Sequence, residues 1–476
     1  MSRDSLCFLP ATELVRIIRK RKVSATEVMQ VHLDQIARLN PKINAIVTMD
    51  PEQALRQAKE VDAAVARGEA RGALAGLPIG VKDLLLTKGM RTTYGSVIYK
   101  DLVPDQDALL VERERAAGGI ILGKTNTPEF GAGGQTFNTV FGTTLNPYDL
   151  DRTCGGSSGG SAAALACGML PLADGTDFGG SLRFPAAYCN VVGFRPSPGR
   201  VPTYPTKLGW YTLVVQGPMA RTVGDVALFL SAIAGPDPRS PISIQEPASV
   251  FARPLERDLN GVRIAWSRNL GRYPVEPVVT EVLDRQRRVF EDLGCRVEDA
   301  DPDMTDADET FDVLRAWRYS IEREYEYTHH RDQLKKTVVW NTEQGMKLDG
   351  FRVARAEANR TALYHRVREF METYEFIVTP VAPVPPYPVK WEYIAEINGQ
   401  KLKNYYEFAG LLYAFSNVGV PAISVPAGFT ADGLPIGMQI VGRPNRDFDV
   451  LQLAHAFEQE TQFWKRAPAI ALGHDQ

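Results

Sequence analysis

Residues 158 to 168 read SGGSAAALACG, and this short run constrains the fold more than any other stretch of the chain. A helix made from it has no polar face, so it must be enclosed on every side by other elements. Its glycine-serine entrance then presents free backbone N–H groups inside the protein. Two glycine-serine clusters bracket the run, GGSSGGS at 155–161 and DFGGSLR at 177–183. Enclosing a helix completely requires a large core, and 476 residues with 44% hydrophobic side chains supply one.

The surrounding pattern is α/β. Residues 11–68 carry helical periodicity (Leu14, Ile17, Ile18, then Val28, Val31, Ile36, then Ala54, Ala58, Val61), with a stop expected at Asn40-Pro41. Short β-branched runs follow, LPIGV at 77–81 and GIILG at 119–123, which read as buried strands with a helix between them. GVRIAW at 261–266, a helical pattern through Val279, Leu283, Val289, Phe290 and Leu293, and CRVEDA at 295–300 form a strand-helix-strand unit. Residues 301 to about 375 read as charged, aromatic helices. FIVTPVAP (376–383), PAISVPAGF (421–429) and PIGMQIVG (435–442) read as strands, and 448–460 as a final amphipathic helix. No repeat, low-complexity tract or linker divides the chain, so one large domain is expected.

A formal net charge of −3, with Lys and Arg scattered, gives no footprint for nucleic acid or an anionic membrane, and the basic run 19–22 reads as a solvated helix face. Cys7, Cys154, Cys167, Cys189 and Cys295 are odd in number and include no C-x-x-C pair, which fits a reducing compartment. The opening residues lack a signal-peptide apolar core and no run is long enough to span a bilayer, so a cytoplasmic protein is expected. His and Cys show no metal-ligand spacing, and no metal or organic cofactor is expected.

Three chemistries compete for the first cluster. A phosphate-cradling loop would need Gly-Lys-[Ser/Thr] at its end, whereas here Ser161 follows Gly160 and alanine comes next. G-x-S-x-G matches at Ser157 and Ser158 raise a nucleophile elbow, which requires a triad histidine on a loop after a strand. The six histidines are His32, His329, His330, His365, His455 and His474; His455 lies within the last helical pattern and His474 in the tail. A lysine made neutral by burial can instead activate serine. Lys82 directly follows the apolar run 77–81, and its competing structural role is a buried ion pair with Asp83. In the second cluster, Ser181 follows two glycines whose N–H groups can converge on a carbonyl oxygen, while Asp177 and Arg183 are expected to form a structural pair.

Taken together, GLPIGVKD (76–83), GGSSGGSAAAL (155–165) and DFGGSLRFPAA (177–187) closely resemble the amidase signature family of Ser-cisSer-Lys hydrolases. The separations of 75 residues from Lys82 to Ser157 and 24 from Ser157 to Ser181 are similar to those of the family. So are KTNTPEF (124–130), VVGFRPSPGRV (191–201), QGPMARTVGDVALFL (216–230) and PAGFTADGLPIGMQIVGRP (426–444). The resemblance covers most of the chain outside about 240–400.

It implies a single domain with a central mixed, twisted sheet covered by helices on both faces. N-terminal helices would occupy 1–70, the signature core 71–235, a divergent substrate-side region 240–400, and C-terminal strands and a helix 401–476. The resemblance also implies Ser181 as acylating nucleophile, Ser157 as the serine in an unusual cis peptide and Lys82 as buried base. The N–H groups of Phe178, Gly179, Gly180 and Ser181 would form the oxyanion hole, with Ser158 in support, and a homodimer is plausible from the same likeness. Phe178, where many relatives carry Thr or Ile, and GAGGQTFNTVFG after the KTNTPEF motif argue against the alternative, the glutaminase subunit of a tRNA-dependent amidotransferase. The expected reaction is hydrolysis of a small, neutral, apolar or aryl amide to a carboxylic acid and an amine or ammonia through a Ser acyl-enzyme. Phe311, Trp317, Tyr319, Tyr325, Tyr327, Trp340, Trp210 and Tyr211 are candidates to line its pocket, with core packing as their competing role.

Overall fold

The structure is a computed structural model describing residues 6–69 and 72–472; His474 lies outside the described residues. Its frame is one sheet of eleven strands: β1 Ile46–Met49, β2 Pro78–Lys82, β3 Ile120–Thr125, β4 Leu172–Asp177, β5 Val192–Arg195, β6 Val215–Ala220, β7 Arg263–Trp266, β8 Arg296–Asp299, β9 Phe376–Pro380, β10 Ala422–Phe429 and β11 Pro435–Gly442. Their spatial order is β1-β3-β2-β4-β6-β5-β10-β11-β9-β7-β8. The sheet is mixed, with β3, β2 and β4 mutually parallel at one side and β9, β7 and β8 parallel at the other. Between these groups every pairing is antiparallel. Every residue of β2, β3, β6, β9 and β11 is buried, which requires that both faces of the sheet be covered there.

The apolar run forms the helix Gly159–Ala166, all eight residues of which are buried. It lies against β2, β3, β4 and β6. The contact is close because Gly160 has no side chain; a Cβ there would fall 2.2 Å from the Asn126 nitrogen. The helix thereby sets its entrance, with Ser157 and Ser158, beside the C-terminal ends of β2 and β4.

Two sequence expectations change. The helix Ala25–Ile43 runs through Pro41 instead of stopping before it, because a proline in the last turn deletes only one helical hydrogen bond. Asn44 (φ +57°) ends it, and the Asn40 side chain accepts from the N–H groups of Ala45 and Ile46 at 2.9 Å each, turning the chain into β1. That four-residue edge strand has one buried position, too weak a pattern to read. The unit between β7 and β8 holds two helices, Pro277–Asp284 and Arg287–Asp292, in place of one, yet the strands pair in parallel as a crossover demands.

Candidate active site

Lys82 is the last residue of β2 and is fully buried. Successive side chains leave a strand on opposite sides, so Lys82 and Asp83 part company. Asp83 accepts from Thr93 (N 3.1 Å, Oγ1 2.5 Å) and makes no ion pair with Lys82, which replaces the pairing considered from the sequence. The Lys82 Nζ lies 2.7 Å from Ser157 Oγ, 2.8 Å from Ser158 Oγ and 2.9 Å from Thr176 Oγ1. All three partners are hydroxyls. A neutral amine can accept from one and donate to two, while an ammonium donates to all three, so either state is satisfied without moving an atom. Burial pushes this amine down to about 7, opposed only in part by the charges of Asp174 and Asp177.

The first serine cluster is a tight loop with Gly155 at φ +76° and a cis peptide bond between Gly156 and Ser157. Three of its N–H groups are taken by the protein itself, Gly155 by Thr153 Oγ1 at 3.0 Å, Ser158 by the Ser181 carbonyl and Gly160 by the Asn126 carbonyl at 3.2 Å. Ser161 turns inward and donates to the Asp174 carbonyl at 2.8 Å. The two clusters meet where Ser158 N–H donates to the Ser181 carbonyl at 3.3 Å.

The second cluster is organised by Asp177, the last residue of β4. Its carboxylate accepts from Arg183 Nη2 and Nε at 3.0 Å, and from Arg195 Nη1 at 3.1 Å. Burial alone would raise this carboxyl, but the charges of Arg183 and Arg195 hold it well below the usual carboxylate range. Arg183 also donates to Gln439, Ser416 and the Leu412 carbonyl, which locks the cluster to the C-terminal elements. Asp177 takes the Gly180 N–H at 2.9 Å as well, so the four-donor oxyanion hole expected from the sequence loses Gly180. The N–H groups of Gly179 and Ser181 donate to no acceptor among the described residues.

Two cavities meet at Ser181 and Phe178. The larger, of about 610 Å³, is lined by Ser157, Thr176, the leucines 84–86, Tyr94, Phe130, Tyr211 and Tyr319, with the loop 203–209 across it. At its rim Arg318 pairs with Glu322 at 2.6 Å and Arg323 with Glu326 at 3.2 Å. The smaller, of about 50 Å³, lies behind Gly179 and Gly180 among Phe184, Phe311, Tyr405, Tyr406 and Arg315.

Of the eight aromatics nominated from the sequence, Tyr211 and Tyr319 line the large cavity and Phe311 the small one. Trp317 packs on Tyr211 and Tyr327 joins the core beside it, whereas Tyr325, Trp340 and, at 78% exposure, Trp210 face outward. His32 is buried against the Gly168 carbonyl and His455 stays on its helix, so neither lines a cavity. All five cysteines are buried. No helix among the described residues is long and apolar enough to cross a membrane.

Thr176, Arg195 and Arg315 are site residues that the sequence motifs do not single out. Thr176, next to Asp177 at the end of a buried strand, and Arg195, inside the 191–201 motif, carry local signals, whereas Arg315 carries none.

The comparisons with known proteins agree with this geometry. The family model described as Amidase matches residues 27–451. The chain is 36% identical over 475 residues to an acylamidase of Rhodococcus erythropolis, covering 99% of each protein. It is 35% identical to a glutamyl-tRNA(Gln) amidotransferase subunit of Geobacillus kaustophilus, over 96% of this chain and 98% of the relative. Among solved structures, a bacterial aryl acylamidase of the amidase signature family superposes with a TM-score of 0.90 at 29% identity, covering 98% of this chain and 99% of that one. Motifs, fold and comparisons converge, and the chain belongs to the amidase signature family, hydrolases of amide carbon-nitrogen bonds.

Proposed function

We propose that Lys82, Ser157 and Ser181 form a proton relay that acylates Ser181 with an amide whose bulky apolar or aryl part fills the large cavity. The observation that carries the reading is the buried Lys82 amine, held among three hydroxyls with no carboxylate in contact, next to a cavity shared by Ser157 and Ser181. Neutral Lys82 accepts the Ser157 proton while Ser157 takes that of Ser181, whose oxygen attacks the amide carbonyl. The N–H groups of Gly179 and Ser181, with that of Phe178, face the oxygen as it becomes negative. Ser157 then returns the proton to the leaving nitrogen. Water attacks the acyl-enzyme by the reverse relay and releases the acid. Ser158 and Thr176 hold the lysine in place, and Asp177 with Arg183 and Arg195 fixes the loop that presents Ser181.

An uncharged group suits the large cavity because its rim arginines are already paired with Glu322 and Glu326, and Lys207, the other cation lining it, is exposed to solvent. The relatives named as acylamidase and aryl acylamidase fit the same substrate class. The direct test is fluorophosphonate labelling followed by turnover of a panel of anilides, aliphatic amides, aryl ureas and glutamine. Wild-type protein should label at Ser181 and release aryl amines, and Ser181→Ala should do neither. Full labelling of Ser181→Ala would overturn the nucleophile, and turnover confined to glutamine would point to the glutaminase alternative.

A further inference from the structure

The small cavity ends on a charge with no ion-pair partner among the described residues. Arg315, on the helix Ala307–Glu322, is buried and lines that cavity together with Gly179, Gly180 and Ser181. Its Nε donates to Asn341 Oδ1 at 3.2 Å, and its Nη2 to the hydroxyls of Tyr405 at 2.5 Å and Tyr319 at 3.4 Å. No carboxylate lies within ion-pair distance among the described residues. Asp312, one turn back on the same helix, instead accepts from Tyr406 at 2.8 Å. Nη1 has no hydrogen-bond partner among the described residues, yet it is not sealed among the buried unpartnered atoms. Rings of Phe178, Phe311, Tyr319, Tyr405 and Tyr406 stand 4.8 to 5.9 Å from the guanidinium carbon, so the cation is caged by aromatic faces, not by counter-ions.

A buried arginine without a carboxylate is costly unless an anion completes it. Arg318 and Arg323 at the rim of the large cavity are paired and Lys207 there is solvated, so Arg315 is the buried cation of the two cavities that lacks a carboxylate. Which part of the substrate enters it follows from the proton relay. Ser157 must reach the leaving nitrogen and lines only the large cavity, so the amine occupies that side and the acyl group points past Gly179 toward Arg315. A volume of about 50 Å³ admits roughly three to five water-sized groups.

We propose that the small cavity is an acyl subsite selecting short acyl groups that end in a carboxylate, with Arg315 as the residue that recognises it. The inference rests on the amidase reading above for its orientation. The malonyl group has four non-hydrogen atoms beyond the reacting carbonyl, one methylene and a carboxylate, and matches the space. Hydrolysis of a malonyl anilide, itself a monoanion, consumes one water and yields aniline, malonate dianion and one proton.

The test compares malonyl and isovaleryl anilides, which have the same number and branching of non-hydrogen atoms and differ in charge. Wild-type protein should show at least a tenfold higher kcat/KM for the malonyl compound, and Arg315→Met should bring the ratio below one. A wild-type ratio at or below one, or a ratio unchanged in Arg315→Met, would overturn the proposal, the second because a purely structural arginine affects both substrates alike. If that variant does not fold, inhibition of wild-type protein decides: malonate should inhibit at least tenfold more strongly than isovalerate, and equal inhibition refutes the subsite. Thermal protection of wild-type protein by malonate, measured without turnover, separates the two readings. Protection without hydrolysis of any anilide defeats the amidase substrate class and leaves the anion site standing. Hydrolysis of neutral anilides without malonate protection or preference does the reverse.

Discussion

Replacing Lys82 by methionine removes the base while nearly preserving shape, and the structure fixes what should follow for stability as well as rate. The folded protein binds the lysine proton only below about pH 7, whereas the unfolded chain binds it below about 10.5. Between these values the unfolded state holds more protons, so this group makes stability rise with pH across that window and leaves it level below 7. At about 1.4 kcal/mol per pH unit the buried lysine costs about 5 kcal/mol at pH 6 and about 1.4 kcal/mol at pH 9.5. Methionine abolishes this cost but leaves the hydroxyls of Ser157, Ser158 and Thr176 without the amine, a loss of about 1 kcal/mol each. Lys82→Met should therefore be more stable than wild type by about 2 kcal/mol at pH 6 and less stable by a similar amount at pH 9.5. For 476 residues the entropy of unfolding is about 1 kcal/mol per kelvin. The difference in Tm between the proteins should thus change sign and span about 3 to 4 °C in a thermal-shift series over that range, while kcat/KM falls about 10³-fold. A constant Tm difference across pH, or a variant that keeps its activity, would refute the assignment of Lys82 as a buried, neutral base.

Further consequences can be checked independently. Because only the neutral amine accepts a proton, kcat/KM should rise with pH through a midpoint near 7, and the same midpoint should appear in a His455→Gln variant. Asp177→Asn leaves the guanidinium groups of Arg183 and Arg195 buried together without a counter-charge. It should cost about 3 to 5 kcal/mol, seen as a fall in Tm or loss of soluble protein. Gly180→Ala places a Cβ 2.3 Å from Leu412 Cδ1 at a φ of +123°. It should cost about 2 kcal/mol or more and suppress fluorophosphonate labelling of Ser181, and Gly180→Ala combined with Leu412→Ala should recover stability only in part, since the backbone strain remains.

Much of the fold is legible in the residues alone. The strands are readable because burial on both faces leaves short, largely apolar runs, as at 77–81 and 435–442, and the enclosed helix because SGGSAAALACG has no face to give to water. The edge strand Ile46–Met49 and the helix continuing through Pro41 are not, because single buried positions and last-turn prolines leave no periodic signal. The proposed chemistry is readable at Lys82, Ser157 and Ser181 because the three motifs that hold them resemble those of the amidase signature family.

What the sequence determined by itself is therefore the fold class, from local pattern, and the groups proposed to react, from the resemblance of three motifs to those of a known family. Only the tertiary structure decided how those groups are partnered. It turned Lys82 away from Asp83 and toward three hydroxyls, gave the Gly180 N–H to Asp177, and set Arg315 of a divergent helix behind the glycines of the second cluster. Partners of this kind lie up to hundreds of residues apart in the chain. Which of them meet is fixed by the strand order of the sheet and by what the packed helices leave open, and neither is written in any one segment.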